Sequence, residues 1–143
     1  ARRIARHPKS WLGDQPRAVV EALARSMDTA YRQTPAFQSL FSALTRFPSS
    51  KGAIVALVCA GDETLDGLFR ITGRLLEQHG LTAEHERFRP HITVGRIARP
   101  RFLKTSLNQP TNVDLPVDKV TLYQSTLTPT GSVYLVLKET RLA

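Results

Sequence analysis

The stretch FRPHITVGR, residues 88–96, sets a histidine and a threonine two positions apart, directly after a proline. In an extended strand side chains repeat every two residues, so His91, Thr93 and Gly95 are expected on one face. Ile92 and Val94 are expected to point the other way, into a core. An imidazole beside a hydroxyl suits a phosphate: the ring moves a proton near neutral pH and the hydroxyl holds an oxygen. A half-buried edge strand with its polar face in solvent would show the same H-x-T spacing. The elements around it have to distinguish the two.

Asp14 and Pro16 announce a helix with apolar residues at Val20, Leu23, Ala24, Met27, Ala30 and Tyr31, ending before Thr34 and Pro35. FQSLFSALTRF (37–47) is expected as a strand closed by Pro48, PSSKG as a turn, and AIVALVCA as a second strand. The second strand is apolar on both faces and so interior, and the short turn makes the pair antiparallel. A second helix comes after Gly61 and Asp62, with Leu65, Leu68, Phe69, Thr72, Leu75 and Leu76 on one face, and stops at Gly80. The H-x-T strand is next, from Pro90 to Ile97. RPRFLKTSLNQPTN is read as a loop, and VDKVTLYQSTL and SVYLVLKET as a closing hairpin turned by Pro129 and Gly131. The pattern is α+β, with antiparallel sheet and helices packed outside it. A helix succeeded by two or three strands occurs twice, which points to an internal structural repeat.

At 143 residues the chain is expected to be a single domain, 1–143. No apolar run approaches the ~20 residues of a spanning helix, so no membrane partner is expected. Lys and Arg number 20 against 12 Asp and Glu, a net charge of +8, which favours an anionic partner such as RNA or a nucleotide. A lone cysteine, Cys59, forms no internal disulfide; its apolar setting reads as core and its isolation as cytoplasmic. The basic first dozen residues, ARRIARHPKSWL, lack the apolar stretch of a secretory signal.

Three stretches together resemble one family. FRPHITVGR resembles the second H-x-T-x signature of the 2H phosphoesterases, in particular the bacterial RNA 2′,3′-cyclic phosphodiesterases, also called 2′-5′ RNA ligases. LYQSTLTPTGSVY (122–134) resembles that family's C-terminal hairpin, and WLGDQPRAVVEALA (11–24) the segment after its first signature. The resemblance implies a two-lobed 2H phosphoesterase-like fold, antiparallel sheets lining a central cleft with helices outside. It also implies two histidines acting as acid and base on a cyclic phosphate, and two threonines binding its oxygens. His91 and Thr93 match the second motif residue by residue, with His91 as the base that activates water. On this scheme no cofactor is needed and no metal; the four histidines have no paired ligand spacing either. Arg96 falls where relatives tend to carry Arg, and its guanidinium could hold phosphate or ribose. Tyr123 and Phe47 could stack on a base, although aromatics at strand positions also build cores. Arg87 and Arg89 read as rim charges, and His79 and His85 as structural or solvated.

The first motif departs from the family. Counting back from Trp11 puts Arg6 at the histidine position and Pro8 at the threonine position. Arginine is no general acid at neutral pH and proline has no hydroxyl. His7 stands one place out of register, and HPKS could serve as an altered motif if the strand bulged there. The family's N-terminal strand is expected to be missing, ARRIARH being no substitute. The leading reading is a monomeric phosphodiesterase acting on RNA with 2′,3′-cyclic phosphate ends or on cyclic nucleotides, with reverse 2′-5′ ligation as a related activity. The alternative is a catalytically impaired member that binds RNA ends or nucleotides. A third is a protein that works through a partner surface, with the H-x-T a relic.

Overall fold

The computed structural model describes residues 2–6, 11–49, 52–59, 61–82, 90–97 and 108–143. In chain order the elements are β1 (Arg2–Arg6), β2 (Trp11–Gln15), α1 (Arg17–Tyr31), β3 (Phe37–Ser49), β4 (Gly52–Val58), α2 (Glu63–Gln78), β5 (His91–Ile97), β6 (Asn108–Val117), β7 (Lys119–Thr128) and β8 (Gly131–Arg141). The strands form two four-stranded sheets, ordered β2-β1-β7-β8 and β5-β4-β3-β6. Two compact units match this division: Ala1–Phe37, Asp66–Phe88 and Val117–Ala143 in the first, Gln38–Leu65 and Arg89–Pro116 in the second. The mixed α/β composition, antiparallel pairing and two helices agree with the α+β expectation.

The first unit owes its core to the two amphipathic helices. Val20, Leu23, Met27 and Tyr31 recur at three- and four-residue intervals along α1, so they share one stripe, and all four are buried. Leu68, Leu75 and Leu76 of α2 meet them, together with Val120 and Leu122 of β7. Inside this cluster the hydroxyls of Tyr31 and Thr72 share a 2.6 Å hydrogen bond, which satisfies two polar groups otherwise costly to bury. Asp28, on α1, accepts hydrogen bonds from Lys138 and Thr140 of β8, each at 2.7 Å, and ties the helix to the sheet edge. Those two bonds, Lys138 first, hold the Asp28 carboxyl below the ordinary aspartate range.

Local chemistry fixes both ends of α2. Asp62 is its N-cap: Oδ1 accepts the backbone N–H of Thr64 and of Leu65, each at 2.9 Å. At the far end Gly80 takes φ +67°, Leu81 N–H bonds back to Leu76 O at 2.9 Å and Gly80 N–H to Glu77 O at 3.0 Å. This is a Schellman closure, and its accompanying apolar contact is made by Leu81 and Leu76 in the core. The expected start after Gly61 and Asp62 and stop at Gly80 are therefore both observed.

Four expectations are corrected. Arg2–Arg6 is a strand, paired antiparallel with β7 from Arg3↔Ser125 to Arg6↔Leu122 and with β2 on its other side. A ladder uses backbone groups that every non-proline residue carries, so a strand precedes Trp11 despite its basic composition. WLGDQ, expected as the approach to a helix, is itself the edge strand β2. Residues 108–112, expected in a loop, belong to β6; Pro110 and Pro116 fit because β6 is the outermost strand of its sheet, where a missing N–H costs least. Finally, Ile92 and Val94 do not enter a core: they are 39% and 54% exposed. β5 is an edge strand, and nothing among the described residues buries its Ile92 face. The antiparallel β3–β4 pair and the interior place of β4, between β5 and β3, match expectation.

Candidate active site

The second unit builds one face from three strands. Antiparallel partners directly opposite each other share a face of the sheet. Val58 pairs with both Ala43 and His91, and Ala56 with both Thr45 and Thr93. The row is therefore Ala43, Thr45 and Phe47 on β3, Ile54, Ala56 and Val58 on β4, and His91 and Thr93 on β5. Ala56 is fully buried, while His91 and Thr93 are half-buried. Pro90 is suited to the entry of β5: it needs no donor, and its carbonyl accepts the Cys59 N–H at 3.2 Å, which starts the ladder at His91.

A bulge reverses the facing of the last residues of β5. The register shifts between Val55 and Ala56, so that Thr93 stays opposite Ala56 while Gly95 falls opposite Val55 and Arg96 opposite Ile54. Val94 is the additional residue, and an extra residue in one strand turns everything beyond it to the other face. Gly95 therefore does not share the face of His91 and Thr93, contrary to strict alternation. Arg96 does: it lies opposite Ile54, which in turn lies opposite Phe47. Arg96 is exposed at the end of this row, where its guanidinium is open to an anion.

The Phe47 ring meets the His91 ring edge-on, with centroids 5.6 Å apart and an interplanar angle of 68°. Such a contact restricts the imidazole to few orientations, which matters for a group that must present one nitrogen to a reacting atom. Phe47, a candidate for stacking on a base, is thereby placed against the His91 imidazole. Beneath the opposite end of β3 the Asp62 carboxylate also accepts the hydroxyl of the buried Ser39 and, at 3.9 Å, the Cys59 thiol. Partial burial raises its pKa, but the bonds from Ser39, Leu65, Thr64 and Cys59 outweigh that and hold it below the ordinary value. Cys59 is half-buried and engaged there, at the edge of the core rather than within it.

The remaining candidates belong to the other unit or lie outside the described residues. Tyr123 belongs to the first unit, where its ring packs edge-on against Tyr134 with centroids 6.2 Å apart. His7, with Pro8, Lys9 and Ser10, lies outside the described residues, as do His85, Arg87 and Arg89. His79 stands at the end of α2 with Nε2 3.0 Å from Ser26 Oγ. Sequence reasoning missed the bulge at Val94 and the Phe47 contact. Aligning the alternation of 37–47, 52–58 and 91–97 would have brought Phe47 to the His91 face, whereas nothing in HITVGR announces an extra residue except its glycine.

Known proteins resemble this chain both in sequence and in fold. Residues 8–128 match the sequence profile of the 2′-5′ RNA ligase superfamily. The chain is 30% identical over 136 residues to an RNA 2′,3′-cyclic phosphodiesterase of Thermotoga maritima, covering 90% of this chain and 71% of the relative. It is 32% identical over 99 residues to an RNA 2′,3′-cyclic phosphodiesterase of Methanocaldococcus jannaschii, covering 65% of this chain and 57% of that protein. Among solved structures, E. coli LigT complexed with 3′-AMP superposes with a TM-score of 0.71 at 22% identity, over 93% of this chain and 74% of the other. At that identity the likeness is one of fold. No helix among the described residues is long and apolar enough to cross a membrane.

Proposed function

Since the chain belongs to the 2′-5′ RNA ligase superfamily, we propose that it is an RNA 2′,3′-cyclic phosphodiesterase, opening terminal cyclic phosphates to 2′-phosphates. The observation that carries this reading is the single sheet face on which His91, Thr93 and Arg96 stand in register, with Phe47 against the imidazole. His91 takes the proton of an attacking water as its oxygen bonds to phosphorus. The bond from phosphorus to the 3′-oxygen breaks, and that oxygen leaves with a proton from an acid on the opposite side. Thr93 donates a hydrogen bond to a phosphate oxygen, and Arg96 neutralises the charge that grows in the transition state. With an RNA 5′-hydroxyl in place of water the same forward steps join ends: its oxygen bonds to phosphorus as His91 takes its proton, and the 3′-oxygen leaves protonated, which gives a 2′-5′ bond.

The acid is assigned to His7, from the altered first motif, and the two units are read as the lobes of one domain. Tyr123 is assigned to the base of the substrate. No metal is required, because proton transfer and charge neutralisation are both met by side chains. A monomer working in the cytoplasm, where the Cys59 thiol stays reduced, completes the proposal. A second reading, a member that binds RNA ends without turning them over, is favoured by one specific feature: Arg6 stands where the family's first histidine would be.

Thr93→Val tests the proposal because it keeps the side-chain volume and removes only the hydroxyl. The wild type is expected to hydrolyse 2′,3′-cyclic AMP in the presence of a chelator, and the variant to lose about 10²-fold in kcat/KM. Absence of turnover by the wild type would favour the binding-only reading. Wild-type turnover with an unaffected variant would remove Thr93 from the site.

A further inference from the structure

The two helices of the first unit leave a groove of about 810 Å³ between them, on residues that the proposed chemistry does not use. One wall is a stripe of α1 and the segment after it, carrying Arg25, Ser26 and Gln33; the other is a stripe of α2 and its cap, carrying Arg74, Gln78 and His79. Both stripes have helical spacing, since 22, 25, 26, 29 and 30 fall on one face of α1 and 71, 74, 75 and 78 on one face of α2, with 33 and 79 just past the helix ends. Ile71, Leu75 and Ala30 make the floor apolar. Ser26 and His79 are joined across the groove by their 3.0 Å contact, which fixes the spacing of the walls.

The charge of this groove is one-sided. Among the described residues its lining holds two arginines and a histidine but no Asp or Glu. Of the acidic groups next to lining residues in sequence, Asp28 is held by Lys138 and Thr140 and Glu21 by Arg17, while Glu77, exposed on α2, is not among the lining residues. Arg70, one turn before Arg74 on α2, extends the positive stripe. Arg25 and Arg74 are both exposed, and two like charges facing one concavity repel each other unless an anion lies between them. Amide and hydroxyl groups beside guanidinium forks, above an apolar floor, suit a strand of alternating phosphates and flat bases better than a bare inorganic anion.

We propose that this inter-helical groove binds the phosphodiester backbone of single-stranded RNA, as a second contact separate from the His91 face. The assignment of RNA as the strand rests on the phosphodiesterase reading; the groove itself does not. It gives the protein grip on a polymer while leaving small cyclic nucleotides unaffected.

The test is fluorescence anisotropy of a labelled 12-nucleotide RNA against salt, on the wild type and on Arg25→Ala/Arg74→Ala. Hydrolysis of 2′,3′-cyclic AMP is monitored alongside. The double variant is expected to bind the RNA tenfold or more weakly near physiological salt. Its slope of log K against log salt should be shallower by about 1.4, from about 0.7 per phosphate contact on a single strand. Its hydrolysis of the mononucleotide should stay within twofold of wild type. Arg25→Lys/Arg74→Lys, which keeps the charge, is expected to recover most of the slope. An unchanged slope and affinity in the alanine variant overturns the groove. So does wild-type binding of a polyglutamate peptide of equal charge as tightly as the RNA. If the wild type fails to hydrolyse the mononucleotide, the phosphodiesterase reading falls while the salt slope still decides the groove.

Discussion

Replacing His91 by alanine is expected to lower kcat/KM for a 2′,3′-cyclic mononucleotide by about 10²- to 10⁴-fold, the range contributed by a positioned general base. The loss should appear in kcat, because water is activated only as the transition state forms, whereas Thr93 and Arg96 remain to bind the phosphate. The side chain is half-buried on an edge strand and its backbone pairing with Val58 does not depend on the imidazole. Thermal unfolding of His91→Ala is therefore expected to stay close to wild type, which separates lost chemistry from lost fold. The variant should also keep its affinity for a long RNA through the inter-helical groove. Wild-type turnover by His91→Ala would assign the base elsewhere.

The largest effect on stability is expected at Asp62→Ala. Loss of the N-cap bonds to Thr64 and Leu65 costs about 1 kcal/mol. The same change takes the acceptor from the fully buried Ser39 hydroxyl, a further 1–3 kcal/mol or so. A total of about 2–4 kcal/mol is a large part of the stability of a small domain. The pH dependence has a definite sign. The Asp62 carboxyl is held below the ordinary aspartate value, so its contribution is fully present above that value, near pH 4, and is lost as pH falls through the lower folded pKa. In urea titrations the gap between wild type and Asp62→Asn should be constant from about pH 7 down to pH 5 and shrink below pH 4. A gap that does not change across that range would mean the charge contributes nothing and only the geometry of the cap matters.

The range of the interactions involved decides how legible each feature is in the sequence. Both helices can be read because their signals are local: a stripe of apolar residues every third or fourth position, Asp62 before one helix and Gly80 after it. The β3–β4 pair can be read because a short turn joins its strands. β6 escapes a sequence reading because its two prolines argue against a strand unless one already knows that it sits at an edge, and edge position is a property of the whole sheet. β1 escapes it for a related reason, since its support comes from β7, more than a hundred residues away in sequence. At the site, H-x-T spacing correctly puts His91 and Thr93 on one face. The facing of Gly95 and Arg96 is inverted because a bulge depends on pairing with β4 and leaves little trace in the strand that carries it. The exposure of Ile92 and Val94 has the same origin, because alternation says which residues share a face and not which face is covered.

The first motif bears most on which functional reading survives. Arg6 and Pro8 cannot supply an acid and a hydroxyl; on the proposed scheme His7 is the acid, and His7→Ala is then expected to be as damaging as His91→Ala, whereas an active His7→Ala would assign the acid to another group. An enzyme with both groups opens the ring in one sense, expelling the 3′-oxygen. The most direct measurement is the identity of the product when 2′,3′-cyclic AMP is incubated with the wild-type protein and a chelator, read by phosphorus NMR against both monophosphate standards, with His91→Ala as control. Accumulation of 2′-AMP by the wild type and none by the control is the expected result. Accumulation of 3′-AMP, or no consumption of the cyclic nucleotide, would contradict it.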